Sequence, residues 1–201
     1  MGLRIASGQA EQMLLFGRNF FKHPRMLGSV IPSSRFLVRR LQRHVDWRRA
    51  RVVVEFGPGV GTLTGTFLRH LAPDGRLVAI EMNREFVEYL TARHPDPRLS
   101  VVHGSASDVG PALARLGTGP ADLVVSGIPY STMTPALRDE ILRATCHALR
   151  PGGQVLIYQF TRAVRSDLER VFGDVHQEFE PRNVLPAWIF TCTRNGKGCA
   201  D

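Results

Sequence analysis

The stretch Val-Val-Val-Glu-Phe-Gly-Pro-Gly-Val-Gly, residues 52–61, decides the fold. Its apolar beginning is typical of a strand that is buried on both faces of a parallel sheet. Glycines at 57, 59 and 61 follow, and they allow the backbone to turn tightly and to approach a ligand before a helix opens at Thr62. A dinucleotide fingerprint would need glycine where Thr62 stands, so the pattern favours a cationic ligand beside Glu55 over a bound pyrophosphate. The alternative is a tight strand-to-helix turn that binds nothing.

Short apolar runs alternate with stretches of helical spacing beyond residue 50. The alternation predicts a doubly wound, mostly parallel α/β sheet of the Rossmann-like type. Two closing runs joined by a proline-containing turn, 175–180 and 187–193, predict a hairpin and hence seven strands with the last one antiparallel. The other predicted strands are 51–56, 76–80, 99–103, 122–126 and 154–160, and the predicted helices are 62–71, 84–93, 109–116, 135–149 and 162–172.

The first 50 residues predict a separate helical extension that covers the ligand site as a lid. The region 51–194 follows as one domain, and residues 195–201 are a tail. A second helix is expected after Pro32, Ser33 and Ser34, with a serine as its N-cap. The first helix, 10–22, is amphipathic; its predicted membrane-facing residues are Met13, Leu14, Phe20 and Phe21, with the basic residues Arg18, Lys22 and Arg25 beside them.

The positive charge is concentrated at this end of the chain. The formal net charge is +8, and residues 1–51 hold 11 of the 26 Lys and Arg residues but only 2 of the 18 acidic ones. Such a segment favours an anionic membrane surface or a nucleic acid as partner. An arginine-biased composition that serves solubility is the alternative explanation.

Composition narrows the class of protein further. No apolar run reaches the roughly 18–20 residues that a membrane span needs, and the start lacks the long apolar core of a secretory signal. Three cysteines without a Cys-x-x-Cys pair argue against a disulfide scaffold or a zinc ribbon, and they fit a reducing cytoplasm. The seven histidines show no metal-ligand spacing. We therefore expect a cytoplasmic protein without a metal site.

Polar residues end the predicted strands at the edge where doubly wound sheets bind ligands. Glu81 ends the second strand, 20 residues after Gly61, where an acid commonly accepts hydrogen bonds from both hydroxyls of a ribose. The third strand ends in His103-Gly104-Ser105-Ala106 and the fourth in Ser126-Gly127-Ile128-Pro129-Tyr130.

These motifs together resemble the class I S-adenosylmethionine-dependent methyltransferases, over residues 51–194. The resemblance implies S-adenosylmethionine as cofactor, S-adenosylhomocysteine as product, and no metal. Many members carry Asp where Ser105 stands, so Asp108 is the alternative contact for the adenine amine. By position, the implied cofactor-binding residues are Glu55, Gly57, Gly59, Gly61 and Thr62 at the methionine end, Glu81 at the ribose, Met82, Ser105 and Ala106 at the adenine, and Ser126.

Two shorter motifs point to a subfamily. Gly-Ser-Val-Ile-Pro-Ser-Ser-Arg-Phe-Leu-Val-Arg-Arg-Leu at 28–41 and Ser-Gly-Ile-Pro-Tyr at 126–130 resemble the bacterial phospholipid N-methyltransferases. That resemblance implies stepwise N-methylation of phosphatidylethanolamine toward phosphatidylcholine. It also implies a basic amphipathic N-terminal helix and peripheral association with the inner face of the membrane. Ornithine lipids and other aminoacyl lipids stay open as acceptors.

The rival resemblance is to the ribosomal RNA adenine dimethyltransferases. That family shares the glycine turn but carries Asn-Leu/Ile-Pro-Tyr after strand four, where this chain has Gly127. The family's asparagine accepts a hydrogen bond from the target amine, which glycine cannot do, so nucleic acid is the less favoured partner. Basic charge alone does not distinguish a lipid from an RNA substrate, because RNA and anionic lipid attract the same arginines.

Methyl transfer asks an enzyme mainly to position the acceptor. The expected acceptor-side residues are Ser126, Gly127, Pro129 and Tyr130, and the Tyr130 ring is expected either to shelter a methylated ammonium through cation–π attraction or to pack at the rim. No His/Asp pair identifies a base for the amine. The number of methyl groups added and the oligomeric state stay open.

Overall fold

The computed structural model describes residues 34–183, 185–195 and 199. The strands found in these residues are Val52–Phe56 (β1), Arg76–Glu81 (β2), Leu99–His103 (β3), Ala121–Ser126 (β4), Leu149–Gln159 (β5), Val175–Glu180 (β6) and Ala187–Thr193 (β7). The α-helices in the same residues are Arg35–Arg43 (α1), Thr62–His70 (α2), Arg84–Arg93 (α3), Val109–Leu116 (α4), Pro135–Ala148 (α5) and Arg165–Phe172 (α6); Ala106–Asp108 and Tyr130–Thr132 are short 3₁₀ turns.

The strands form one seven-stranded sheet in the order β3-β2-β1-β4-β5-β7-β6. Strands β1 to β5 are parallel, and β7 runs antiparallel to both of its neighbours, β5 and β6. The predicted Rossmann-like sheet with a reversed last strand is therefore confirmed. The order reverses between β1 and β4, which opens a crevice at the carboxyl ends of these two strands.

Apolar side chains cover both faces of the sheet. Helices α4, α5 and α6 pack on one face around Leu142 and Leu168, and α1 and α2 pack on the other around Leu41 and Phe67, all four fully buried. The strands read as nearly continuous apolar runs because each is buried from both sides. Two predicted boundaries differ by more than one residue: β5 begins at Leu149 rather than 154, through an irregular pairing with β4, and α6 begins at 165 rather than 162.

Helix α1 lies on the sheet as part of the fold. The Ser34 hydroxyl caps it by accepting from the Leu37 backbone N–H at 3.3 Å, as predicted for a serine in the Pro-Ser-Ser stretch. The Ser34 N–H donates to Asn183 Oδ1 in the β6–β7 turn at 2.9 Å. The segment 1–33 therefore joins the described fold at this turn, on the carboxyl edge of the sheet.

An ion-pair cluster holds α1 against β6. The Arg40 guanidinium donates to Glu180 at 2.8 Å and to Glu178 at 3.0 Å, and His44 lies 3.4 Å from Glu178. The Glu180 side chain is 1% exposed and also accepts from Arg182. Burial would raise the pKa of Glu180, but hydrogen bonds from Arg182 and Arg40 hold it below its usual value. Arg40 thus compensates a buried charge.

Several predicted residues lie outside the described part of the chain. They are the membrane-facing residues Met13, Leu14, Arg18, Phe20, Phe21, Lys22 and Arg25 of the first helix, and Pro32 and Ser33 of the lid.

The cysteine prediction needs a correction. The structure joins Cys146, in α5, to Cys199 by a disulfide, although the odd cysteine count had argued against a disulfide scaffold. Spacing could not indicate this pair because the cysteines are 53 residues apart. Cys192 is free and buried in β7, and burial raises the pKa of its thiol to about 12.

We predict that Arg40→Ala lowers the free energy of unfolding by about 2–3 kcal/mol. Loss of one partner leaves a buried carboxylate only partly compensated, and Arg182 keeps the loss below that of a fully orphaned charge. Urea denaturation of both variants is the measurement, with Arg39→Ala on the exposed face of α1 as the matched control. Equal stabilities of the two variants would show that the cluster does not hold the helix.

Candidate functional site

The glycine turn between β1 and α2 lines one side of the crevice. Gly57, Gly59 and Gly61 have φ values of 65°, 54° and 78°, a region that side chains rarely adopt. An ideal Cβ on Gly57 would lie 2.8 Å from Ile128 Cγ2, so only glycine lets the loop after β4 approach this closely. The turn is thus shaped by β4 as well as by its own helix.

Gly61 has a reason of its own to be glycine. A Cβ there would lie 2.6 Å from Leu90 Cδ2 and 2.9 Å from His94 Nε2, both at the end of α3. Gly61 is therefore needed for the close packing of α2 against α3, in addition to its implied role in ligand binding. Thr62 follows as the first residue of α2 and is half-buried.

Glu55 is a buried acid near the end of β1. Its side chain is 3% exposed and accepts a hydrogen bond of 2.7 Å from Thr64 Oγ1. Among the described residues no Lys, Arg or His forms an ion pair with it. Burial raises the pKa of Glu55 to about 8, against the lowering effect of the Thr64 hydrogen bond. A cation placed beside Glu55 would favour the ionised form.

Glu81 is a second buried acid, at the end of β2. It is 6% exposed and accepts from the backbone N–H groups of Gly59 at 3.2 Å and Asn83 at 2.9 Å. Burial raises its pKa despite these hydrogen bonds. Each carboxylate oxygen keeps a lone pair for a further donor. Two such oxygens match the two hydroxyls of a ribose.

Next to Glu81, the crevice is bordered by the exposed side chain of Met82 and by the turn that follows β3. Met82 is 71% exposed, and its carbonyl oxygen lies 3.0 Å from His103 Nε2. Ser105 caps the turn that begins at Ala106, and Asp108 accepts from the Ser105 N–H at 3.3 Å. The Asp108 carboxylate is therefore already engaged in a capping box. An exposed methionine next to a polar edge suits a flat heterocycle such as adenine.

The segment after β4 is largely buried, and within 126–130 only Ile128 and Pro129 are half-buried. Ser126 and Tyr130 are 0% exposed, and the Ser126 hydroxyl donates to Tyr130 Oη at 3.2 Å. The fully buried Tyr130 ring offers no face to an acceptor, which differs from the expected sheltering role and agrees with the packing alternative. Gly127 and Pro129 lie between these two residues in sequence, and the Gly127 N–H donates to the Phe56 carbonyl oxygen at 3.2 Å.

Three residues of the site were not predicted. Thr64 holds Glu55, as described above. Tyr158 lies opposite Gly127, and an ideal Cβ on Gly127 would overlap Tyr158 Oη and Cζ. Gln159 Nε2 donates to the Ile128 carbonyl oxygen at 2.8 Å. The carboxyl end of β5 was the signal that could have indicated Tyr158 and Gln159, since it belongs to the same sheet edge.

Within 34–183, 185–195 and 199, no group of three or more His, Cys, Asp or Glu side chains is arranged to hold a metal ion. In that same part of the chain, no helix has the length and apolar character that crossing a membrane requires.

Comparison with known proteins identifies the family. A family model described as a methyltransferase domain matches residues 53–153, which include the glycine turn, both acids and β4. The chain belongs to this methyltransferase family. It is an S-adenosylmethionine-dependent methyltransferase, and the carboxylates and glycines described above are the chain's own residues that fit this cofactor.

The alignment with this chain covers nearly all of one relative but less than half of another. The ornithine lipid N-methyltransferase of Singulisphaera acidiphila is 33% identical over 184 residues, which cover 90% of this chain and 96% of that protein. Ribosomal RNA small subunit methyltransferase A of Laribacter hongkongensis is 36% identical over 124 residues, but the match covers 61% of this chain and only 40% of that protein.

Solved structures share the fold at low identity. The O-methyltransferase TomG from Streptomyces achromogenes, crystallised with S-adenosylmethionine, has a TM-score of 0.67 at 22% identity, and 90% of each chain is covered. An O-methyltransferase from Bacillus cereus has a TM-score of 0.69 at 16% identity, with 93% of this chain and 90% of that chain covered.

We predict that cofactor affinity rises with pH between 6 and 8. A cation binds best beside an ionised Glu55, and in the free protein the Glu55 carboxyl is mostly protonated below its pKa of about 8.

Thr64→Val removes the hydrogen bond that favours the Glu55 carboxylate, so we predict that it weakens S-adenosylhomocysteine binding at pH 7 by about tenfold. Calorimetry across this pH range measures both effects. Thr66→Val is the control, because it removes a second buried threonine hydroxyl from the same helix, one that donates to the Thr62 carbonyl oxygen and not to Glu55. A flat pH profile for the native protein would contradict the prediction.

Proposed function

We propose that this methyltransferase transfers methyl groups to the amine of a membrane-lipid head group. The near-complete match to an ornithine lipid N-methyltransferase carries the proposal, since it spans 96% of that relative. An alignment of this extent includes the regions on both sides of the shared methyltransferase domain. Because a shared fold alone does not imply a shared substrate, a match that extends beyond this domain supports the proposal more strongly than the domain match does.

We propose a role in cofactor binding for each buried acid. Glu55 would hold the ammonium of the methionine part, Glu81 the ribose hydroxyls, and Met82 with Ser105 and Ala106 the adenine. When bound, S-adenosylmethionine supplies an electrophilic methyl group on a positively charged sulfur. Both carboxylates lie at the end of neighbouring parallel strands, Glu55 on β1 and Glu81 on β2.

The acceptor nitrogen needs a free lone pair to form the new bond to carbon. A lipid ammonium has a pKa near that of lysine, about 10, so its proton must leave to water first. Gly127 and Pro129 are proposed to border the acceptor, with Ser126 and Tyr130 supporting them from the buried side. The chain's contribution is then positioning and exclusion of water rather than proton transfer by a dedicated base.

The residue at 127 argues against an adenine acceptor. Glycine has no side chain to accept from the amine of a base, and Tyr158 fills the space that an asparagine would take. The RNA methyltransferase relative is matched over only 40% of its length. These two observations favour the lipid amine over RNA.

The acceptor proposed first is an ornithine lipid, in line with the printed activity of the matched relative. Phosphatidylethanolamine, which the subfamily resemblance implied, offers the same chemistry of an amine beside an acyl anchor. Both are therefore substrates to compare directly.

A basic and aromatic rim at the carboxyl edge of the sheet supports the proposal that the enzyme acts at a membrane surface. We define it as Phe36, Phe179, Leu185 and Trp188 with Arg35, Arg162 and Arg182. The Phe179 and Trp188 rings are 4.6 Å apart, and Arg162 lies 5.2 Å from the Trp188 centroid. Arg182 and Arg35 lie 4.6 Å and 4.9 Å from the Phe36 centroid. Phe179 and Leu185 are each 42% exposed.

Such a rim matches the chemistry of an anionic bilayer surface. Aromatic rings favour the head-group level of a membrane, and each arginine near an anionic surface contributes about 1 kcal/mol. The rim adjoins Ser34, where the predicted amphipathic helix 10–22 connects to the fold. We propose that helix and rim together bind the inner face of the cytoplasmic membrane peripherally.

A parallel assay tests the activity. With radiolabelled S-adenosylmethionine, we expect label in ornithine lipid or phosphatidylethanolamine and none in ribosomal RNA. Glu81→Ala, which removes the ribose contact, should lower incorporation at least tenfold and serves as the background control. Label in RNA without label in either lipid would overturn the proposal.

Liposome flotation tests the rim. Phe179→Ala/Arg162→Glu should lower the affinity for anionic liposomes by about 30-fold, since two unit charges and an exposed ring are changed. Leu116→Ala/Arg115→Glu is the matched control, because it makes the same charge change and removes a 40% exposed side chain at the opposite sheet edge. Equal losses for the two variants would show that the rim has no special part in membrane binding.

A further inference from the structure

The strand order fixes the side from which the acceptor approaches. Glu81 lies on β2 and Glu55 on the neighbouring β1, and β4 lies on the other side of β1. A cofactor held by these two acids leaves the ends of β4 and β5 for the group that receives the methyl. Side chains at the end of β5 are therefore candidates for contact with the acceptor.

Tyr158 lies at this position and closes the space over Gly127. Ser126 pairs with Ile157 in the sheet register, so the next residues along both strands, Gly127 and Tyr158, lie side by side. A Cβ on Gly127 would overlap the Tyr158 hydroxyl oxygen and Cζ, and it would lie 3.0 Å from Cε1. The tyrosine hydroxyl thus lies at the exit of β4, where a residue with a side chain would project.

The surroundings of Tyr158 fix its place. Its ring packs with the apolar cluster on the α1 and α2 face, and β7 pairs Ile189 with it. The next residue, Gln159, donates to the Ile128 carbonyl oxygen at 2.8 Å and to the Tyr158 carbonyl oxygen at 2.7 Å. This bridge ties the loop after β4 to the end of β5. Gln159 is accordingly a positioning residue for Tyr158.

We propose that Tyr158 forms the binding site for the acceptor amine, with its hydroxyl oxygen accepting a hydrogen bond from an N–H of that amine. This inference rests on the proposed function, because it takes the ligand class to be an alkyl amine on a lipid. A phenol oxygen can accept from an ammonium or an amine, while its ring tolerates methyl groups on nitrogen. Each methyl added replaces one N–H, and a trimethylated nitrogen has none left to donate.

Binding of matched ligands to the cofactor-free full chain tests the site. The probes are a short-chain ornithine lipid and a short-chain phosphatidylethanolamine below their micelle concentrations, together with the N-trimethyl derivative of each. Tyr158→Phe should weaken the amine probes about five- to twentyfold and leave the trimethyl probes within about twofold. Tyr89→Phe is the matched control, because its hydroxyl is buried in α3 without a hydrogen-bond partner among the described residues.

The outcomes separate the two claims. Equal weakening of amine and trimethyl probes would make Tyr158 a packing residue only, and unchanged affinity for both would place the amine elsewhere; either result overturns the assignment. If the native protein binds none of the four probes and labels RNA, the proposed function fails together with it. In turnover, Tyr158→Phe should raise KM more for the unmethylated than for the dimethylated lipid, which a loss of packing would not do.

A second variant tests the geometry. Gly127→Ala directs its methyl group onto the Tyr158 hydroxyl and should weaken the amine probes as Tyr158→Phe does. In the double variant Gly127→Ala/Tyr158→Ala the overlap is gone, so thermal stability should recover part of the loss while amine binding does not recover. Native-like amine binding by Gly127→Ala would contradict the site.

Discussion

The site depends on two buried carboxylates that form no ion pair with another residue of 34–183, 185–195 or 199. Glu55 and Glu81 end adjacent strands, are 3% and 6% exposed, and rely on one hydroxyl and two backbone N–H groups. Between pH 4.5 and about 8 the unfolded chain has lost the proton that folded Glu55 keeps, so the cofactor-free fold loses stability as the pH rises. A cationic cofactor reverses this cost. The site therefore has a built-in preference for a positively charged ligand.

The strand order fixes the order in which the site residues lie along the carboxyl edge of the sheet. Because β1 lies between β2 and β4, the acids occupy one side of the crevice and the Gly127–Tyr158 pair the other. Ile128 connects the two sides, since it packs against Gly57 and its carbonyl oxygen accepts from Gln159. The basic and aromatic rim that we propose to bind a membrane lies at the same edge, around the β6–β7 turn. Cofactor, acceptor and membrane are thus assigned to successive parts of one edge.

Much of the fold could be predicted because its signals are local. Periodicity located every strand of the described sheet, and one of the two serines after Pro32 was expected as a helix cap, which the structure shows to be Ser34. Glu55 and Glu81 could be identified as buried strand-end acids for the same reason. The position of Tyr158 at the carboxyl end of β5 could have indicated that residue, but its place over Gly127 depends on which strand lies beside which. Thr64 could not be identified, since its role depends on which side chain of a helix points inward. For Tyr130 the sequence left both a sheltering and a packing role open, and only tertiary packing shows that its ring is buried.

Direct titration of Glu55 tests the central claim most directly. Its side-chain carboxyl carbon can be followed by nuclear magnetic resonance, with Glu55→Gln to assign the signal. We expect a pKa of about 8 in the cofactor-free protein and a pKa below the ordinary glutamate value when S-adenosylhomocysteine is bound. An ordinary pKa in the free protein, or a pKa that the ligand leaves unchanged, would contradict the claim that Glu55 is a buried, neutral carboxyl that ionises when a cation binds beside it.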